Sequence, residues 1–228
     1  MSSNKSRTSP LLIAGSALLA CGAASAQDAA TAADEVTIEE VVVTAQKREQ
    51  SLSDVAAAVT ALTTDRLVTS QVAGIQDLQT IIPSLNFGSD FNQAKIFIRG
   101  VGANTSTTGN STAVALHVDG AVVSRAEAQL TSLFDLERVE VLRGPQGTLY
   151  GRNATGGSIN LITAKPTQDL SGYARLTYGN YNALNTEAAL AGGITDQLSA
   201  RIAVKNEQRD GFGTNPVTGK DVDDLNRR

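Results

Sequence analysis

Between residues 144 and 157 the chain places Gly144, Pro145, Gly147, Gly151, Gly156 and Gly157, with a strand pattern on each side. Five glycines and a proline in fourteen residues leave little room for side chains and demand sharp turns with close backbone approach. On the N-terminal side Val139 and Val141 alternate with polar neighbours, and on the C-terminal side Ile159 and Leu161 do the same. That is the two-residue period of half-buried strands. The stretch also carries Glu137, Arg138, Glu140, Arg143 and Arg152, which need partners if they leave water. A glycine-cornered, ion-paired unit of this kind suits a body packed inside something else.

The run from Leu136 to Thr163, LERVEVLRGPQGTLYGRNATGGSINLIT, resembles the most characteristic part of the plug domain of TonB-dependent outer-membrane receptors. The resemblance implies an α+β plug domain, a mixed β-sheet with short helices. The first antiparallel strands of an incomplete transmembrane β-barrel would follow. It also implies that Arg99 and Arg143 pair with acidic residues of the barrel wall, beyond Arg228, and that Arg152, Glu137 and Glu140 pair within the plug.

The first segment reads as a processing signal. Lys5 and Arg7 precede an apolar run from Leu11 to Ala20, and Ala24-Ser25-Ala26 forms an A-x-A cleavage pattern. The run falls short of the ~20 apolar residues a membrane-spanning helix needs. Cleavage after residue 26 leaves 17 basic against 23 acidic residues and removes Cys21, the only cysteine. A cysteine-free mature chain fits export into an oxidising compartment. Leu18-Leu19-Ala20-Cys21 gives a rival reading, a lipoprotein box with Cys21 lipidated.

Residues 27–34 are rich in Ala, Thr and Asp without periodicity, a flexible tether. Val41-Val42-Val43-Thr44-Ala45 then favours extended backbone. By itself the segment reads equally as the first strand of a domain or as a strand offered to another protein's sheet edge. The resemblance makes it a TonB box, the peptide that engages the periplasmic protein TonB, and assigns that role to Val41, Val42, Val43, Thr44 and Ala45. The expected boundaries are a signal peptide at 1–26, a tether with the TonB box at 27–50, a plug at 51–165 and the start of a barrel at 166–228. Asp54–Thr60 is the expected first plug strand, although the family's usual proline is missing there. Helices are expected over Thr64–Gln71 and Ile75–Ile81, the second stopped by Pro83, with Leu67, Val68, Ile75, Leu78 and Ile82 turned to the core.

Leu85–Phe87 and Lys95–Arg99 read as paired strands. The polar run 101–112 carries no hydrophobic anchor, so it is either a displayed loop or a plain connector. The resemblance places it at the plug apex and makes Asn104, Thr105, Ser106 and Asn110 candidate ligand contacts. Asp119-Gly120 inside Ala113–Val123 marks a hairpin with a tight primed turn. His117 in its first strand has no second His or nearby Cys, so a packed structural role is expected and no metal site. A short helix is expected over Glu127–Phe134.

Several function classes find no support. The net charge of −4 disfavours a nucleic-acid surface. Gly151–Gly157 lacks the lysine of a phosphate-binding P-loop. No nucleophile–base pair is present, so no enzyme and no cofactor are expected.

After Pro166 the pattern changes to long alternation. Ala174, Leu176 and Tyr178 share one face against Tyr173, Arg175 and Thr177. Leu198, Ala200, Ile202 and Val204 oppose Ser199, Arg201, Ala203 and Lys205. A membrane β-barrel and a soluble sheet with one wet face both give this pattern. Residues 167–228 supply three or four membrane strands at about 9–11 residues each, fewer than the roughly 8 that close the smallest barrels. The expectation is therefore the front part of a longer receptor that takes up a scarce nutrient, with an iron–siderophore as the base case. Its partners would be TonB, the outer membrane and a small-molecule ligand. The alternatives are a periplasmic interaction module and a lipid-anchored one.

Overall fold

The two strand patterns that flank the glycine corner become neighbours in one sheet. A computed structural model describes residues 42–45, 47–90, 92–104, 112–222 and 225–227. In chain order the strands are β1 (Val42–Val43), β2 (Gln50–Ser51), β3 (Ala58–Thr63), β4 (Leu85–Asp90), β5 (Gln93–Ile98), β6 (Val101–Gly102), β7 (Val114–Val118), β8 (Ala121–Val123), β9 (Leu136–Arg143), β10 (Gly157–Thr163), β11 (Ser171–Gly179), β12 (Ala183–Thr195), β13 (Leu198–Arg209), β14 (Gly213–Thr214), β15 (Asp221–Val222) and β16 (Leu225–Arg227). Two short α-helices, α1 (Thr64–Thr69) and α2 (Gly147–Tyr150), and 3-10 turns at Leu52–Asp54 and Ile75–Thr80 complete them.

The central sheet runs β3-β9-β10-β7-β8. All neighbours are antiparallel except β10 and β7. It is therefore a mixed sheet with few helices, the plug architecture expected. A smaller sheet, β4-β5-β6, lies apart in the strand order, and β11-β12-β13-β16 form a separate antiparallel sheet.

One face of the central sheet presents Val114, Leu116, Val139, Val141, Ile159 and Leu161 to a core shared with Leu67, Ile75, Leu78, Ile82, Leu85 and Ile98. The half-burial expected of β9 and β10 does not hold. Their other face is buried too, with Leu142, Glu140, Ser158 and Asn160 at most 4% exposed. Val43, Ala45, Tyr150 and Ala154 cover it, helped by Leu52 and Val55. Alternation of polar and apolar residues reports chemistry on each face; a polar face can still be covered if its groups find partners.

Local expectations fare unevenly. β3 begins at Ala58 rather than Asp54, because 52–54 winds into a 3-10 turn. α1 starts after Thr63 as expected but stops at Thr69, and Val68 is exposed rather than in the core. The second helix is 3-10, with Asp77 Oδ2 accepting the Gly74 N–H at 2.8 Å. Glu127–Phe134 makes turns, not a helix. Gln129 in that stretch is fully buried and donates from Nε2 to Val123 O at 2.9 Å, so a side chain holds the segment instead of a helical ladder. The Asp119-Gly120 hairpin forms, with both residues at positive φ (48° and 82°). Gly157, at φ 149°, faces the Leu142 carbonyl so closely that a Cβ would collide with it. A glycine there lets the start of β10 pair closely with the end of β9.

Candidate functional site

The N-terminal segment is docked, and its contacts define a buried polar site. β1 pairs with β2 in antiparallel register, Val42 opposite Ser51 and Val43 opposite Gln50. Val43 and Ala45 are fully buried while Val42 is 45% exposed. Thr44 donates its backbone N–H to Glu140 Oε1 at 2.7 Å and its hydroxyl to the same oxygen at 3.2 Å. Glu140 also accepts from Arg138 Nε at 2.8 Å. Arg138 reaches Glu137 through Nη1 and Thr44 Oγ1 through Nη2, the latter at 3.3 Å.

A second set of bonds leads away from the segment. Tyr150 OH donates to Ala45 O at 2.9 Å and accepts from Asn160 Nδ2 at 2.9 Å. Ser158 Oγ donates to Asn160 Oδ1 at 2.9 Å and lies 3.3 Å from His117 Nδ1. The His117 ring meets Tyr150 edge-on, with centroids 5.0 Å apart. Lys47, just beyond the segment, places its ammonium 5.9 Å from the Tyr150 ring centroid. Burial, with a smaller push from Lys47, holds the His117 imidazole below its ordinary value, and burial raises the Tyr150 phenol. His117 is thus a packed, hydrogen-bonded residue.

The arginines expected to reach outward stand apart from this cluster. Arg143 ends β9, and its buried Nε has no hydrogen-bond partner among the described residues. Arg99 sits at φ 52° in the β5–β6 turn, exposed, and Arg152 is exposed in the glycine corner. None of the three has an ion pair among the described residues. Glu137 and Glu140 take their partner from Arg138 on the same strand, and Glu140 shares a face with it because residues two apart on a strand do so. Asn104 is exposed at the end of β6's loop. Val41, Thr105, Ser106 and Asn110 lie outside the described residues, as does Cys21.

The last sheet has two chemically distinct faces. Leu176, Tyr178, Leu190, Ile202 and Val204 are each at least 59% exposed on one of them. The other carries a charge ladder, Arg175 to Glu187 at 2.8 Å and Glu187 to Lys205 at 3.3 Å across strands, then Lys205 to Glu207 at 2.7 Å along β13. The ladder continues into the segment before β9. Ser132 Oγ donates to Glu207 Oε2 at 3.0 Å, and Arg201 Nε donates to Asp135 Oδ2 at 2.8 Å. A cleft of about 700 Å³ opens between α1 and this charged face, lined by Leu67, Val72, Phe134, Tyr173 and Arg175 among others.

Residues 51–158 match the family model "TonB-dependent Receptor Plug Domain". The chain belongs to the TonB-dependent receptors. Curated members of that family include the pesticin receptor of Yersinia pestis, 34% identical over 194 residues, which cover 82% of this chain and 28% of that protein. The vitamin B12 transporter BtuB of Vibrio vulnificus is 31% identical over 189 residues, 79% of this chain and 30% of the transporter. Among solved structures, the ferric yersiniabactin uptake receptor FyuA from Yersinia pestis superposes with a TM-score of 0.66 at 31% identity, over 74% of this chain and 26% of that one. The chain thus spans under a third of the length of the TonB-dependent receptors it matches, a family of Gram-negative outer-membrane proteins.

The sequence singled out Thr44 and Glu140 without placing them together. It passed over Tyr150, Asn160 and Arg138 as partners. A signal existed for Arg138, which is spaced two residues from Glu140 in a β pattern. None existed for Tyr150, since its contacts with residues 44 and 45 span more than 100 positions of chain.

Proposed function

We propose that this chain forms the N-terminal part of an outer-membrane receptor that imports a scarce nutrient, with its plug closing the barrel lumen and residues 41–45 engaging TonB. The carrying observation is the two-faced sheet β11–β13. Its charged face is ion-paired to the plug corner at Asp135 and hydrogen-bonded to it at Ser132, and its apolar face is left open. A row of exposed Leu, Ile, Val and Tyr of this size is costly in water and favourable against lipid, whereas the charged ladder suits a polar, lumen-facing side. This disfavours the soluble periplasmic module. The unpaired Nε of Arg143 and the exposed Arg99 support the reading that acidic wall residues outside this chain complete their ion pairs.

The relatives' names support a scarce-nutrient ligand: a ferric yersiniabactin uptake receptor, a pesticin receptor and a vitamin B12 transporter. An iron chelate is the substrate we assign, met by the 101–112 loop. Val42→Pro in the gene's full reading frame is the test. Proline removes a ladder donor from β1, so energised uptake should fall to background while surface binding of the chelate persists. Unchanged uptake in that variant removes the TonB assignment.

A further inference from the structure

Thr44 sits where a buried ion pair is left half-made. Glu140 is fully buried and Arg138 is 8% exposed, yet they share a single bond, Nε to Oε1 at 2.8 Å. A guanidinium and a carboxylate commonly meet as two forks with two parallel bonds. Here the second prong on each side is diverted. Arg138 Nη2, on the same edge as Nε, goes to Thr44 Oγ1 at 3.3 Å. Glu140 Oε2 has no partner among the described residues, while Oε1 takes both the Thr44 N–H and its hydroxyl. Arg138 Nη1 is held by Glu137 on the other edge.

We propose that Arg138 and Glu140 are a self-closing charge pair that lets residues 42–45 leave the plug without stranding a buried charge. A swing of the Glu140 carboxylate brings the idle Oε2 to Nη2 once Thr44 has gone, and the fork closes. Losing one partner of a buried charge is ordinarily strongly unfavourable, and a segment held only by such a charge would not come away. Here the charge keeps its partner in both states, so release is opposed by the burial of Val43 and Ala45, the β1–β2 pairing, the Tyr150 bond and only that part of the Thr44 bonds to Glu140 which the closed fork does not replace. Arg138 and Glu140 are positioning residues, and the inference rests on reading 41–45 as the TonB-engaging segment.

The test follows the accessibility of the segment in outer membranes of cells expressing the gene's full reading frame. Val43→Cys in a Cys21→Ser background provides a reporter thiol, and its rate of maleimide labelling is measured. Glu140→Gln should raise that rate about tenfold, because a hydrogen bond to a charged acceptor exceeds a neutral one by roughly 1.4 kcal/mol, a factor of ten. Arg138→Lys should lower it by a similar factor, because an ammonium cannot close a planar fork on the carboxylate, so Glu140 depends more on Thr44. A fall cannot arise from misfolding, which only exposes the thiol. Rises in both variants, no change in either, or a reporter labelled in the parent as fast as a free thiol overturn the proposal. Capture of purified TonB periplasmic domain is scored separately. Opposite labelling shifts without matching changes in capture leave the charge pair standing and remove the partner assignment. Flat labelling alongside lost uptake in Val42→Pro does the reverse.

Discussion

His117 is a residue whose proton affinity its neighbours lower. It is 5% exposed, shares a hydrogen bond with Ser158 and feels the charge of Lys47. A histidine whose folded-state value is lowered binds its proton more tightly in the unfolded chain. Its contribution to stability is therefore complete above about pH 6.5 and is lost as pH falls towards the lowered folded value. Denaturant midpoints of the plug, followed by near-ultraviolet circular dichroism, should drop between pH 7 and pH 5. His117→Gln should flatten that slope. The polar partners were unreadable from sequence for a plain reason: His117 precedes Ser158 by 41 positions, and only the parallel pairing of β7 with β10 sets them side by side.

At the scale of elements, the β7–β8 hairpin was the clearest local signal. Its Asp-Gly corner requires positive φ at two successive positions, a demand written in residue type and independent of the rest of the molecule. Gly120→Val should destabilise the plug by about 1–2 kcal/mol, because a β-branched side chain is strained there, and urea titration of the plug's melting transition checks it. Asp119 has a second task, accepting the Thr163 N–H at 2.9 Å and its hydroxyl at 2.7 Å, so the turn also ends β10. The stretch 127–134 failed as a helix because Gln129 and Leu133 were needed elsewhere, buried beneath Val123 and in the main core. Helical propensity over so few residues is a weak force, and tertiary contacts outweigh it.

Across the whole molecule, the plug and the first barrel strands are joined by charges rather than by an apolar seam. Arg201 and Asp135 have side chains only 13% and 12% exposed. Removing one member leaves the other largely buried without its partner, at a cost of about 3–5 kcal/mol, whereas removing both is much milder. Arg201→Ala should therefore lower the thermal midpoint of the full receptor more than the Arg201→Ala, Asp135→Ala double variant does. Additive losses would show the pair to be two independent contacts. Asp135 also holds φ 49°, a conformation uncommon outside glycine, so the ion pair fixes a strained corner at the point where the plug chain turns into β9.

Residue type and spacing alone determined the glycine corner, the Asp-Gly hairpin, the alternation of β11 and β13, and with these the family resemblance. Each depends on neighbours within a few positions, where φ preference and side-chain period act directly. Tertiary structure alone decided that the polar face of β9 and β10 is covered, that residues 42–45 cover it, and that Thr44 shares Glu140 with Arg138. Those outcomes depend on which distant groups arrive to satisfy buried charges, and a buried charge accepts any partner with the right sign and reach, wherever in the chain it originates.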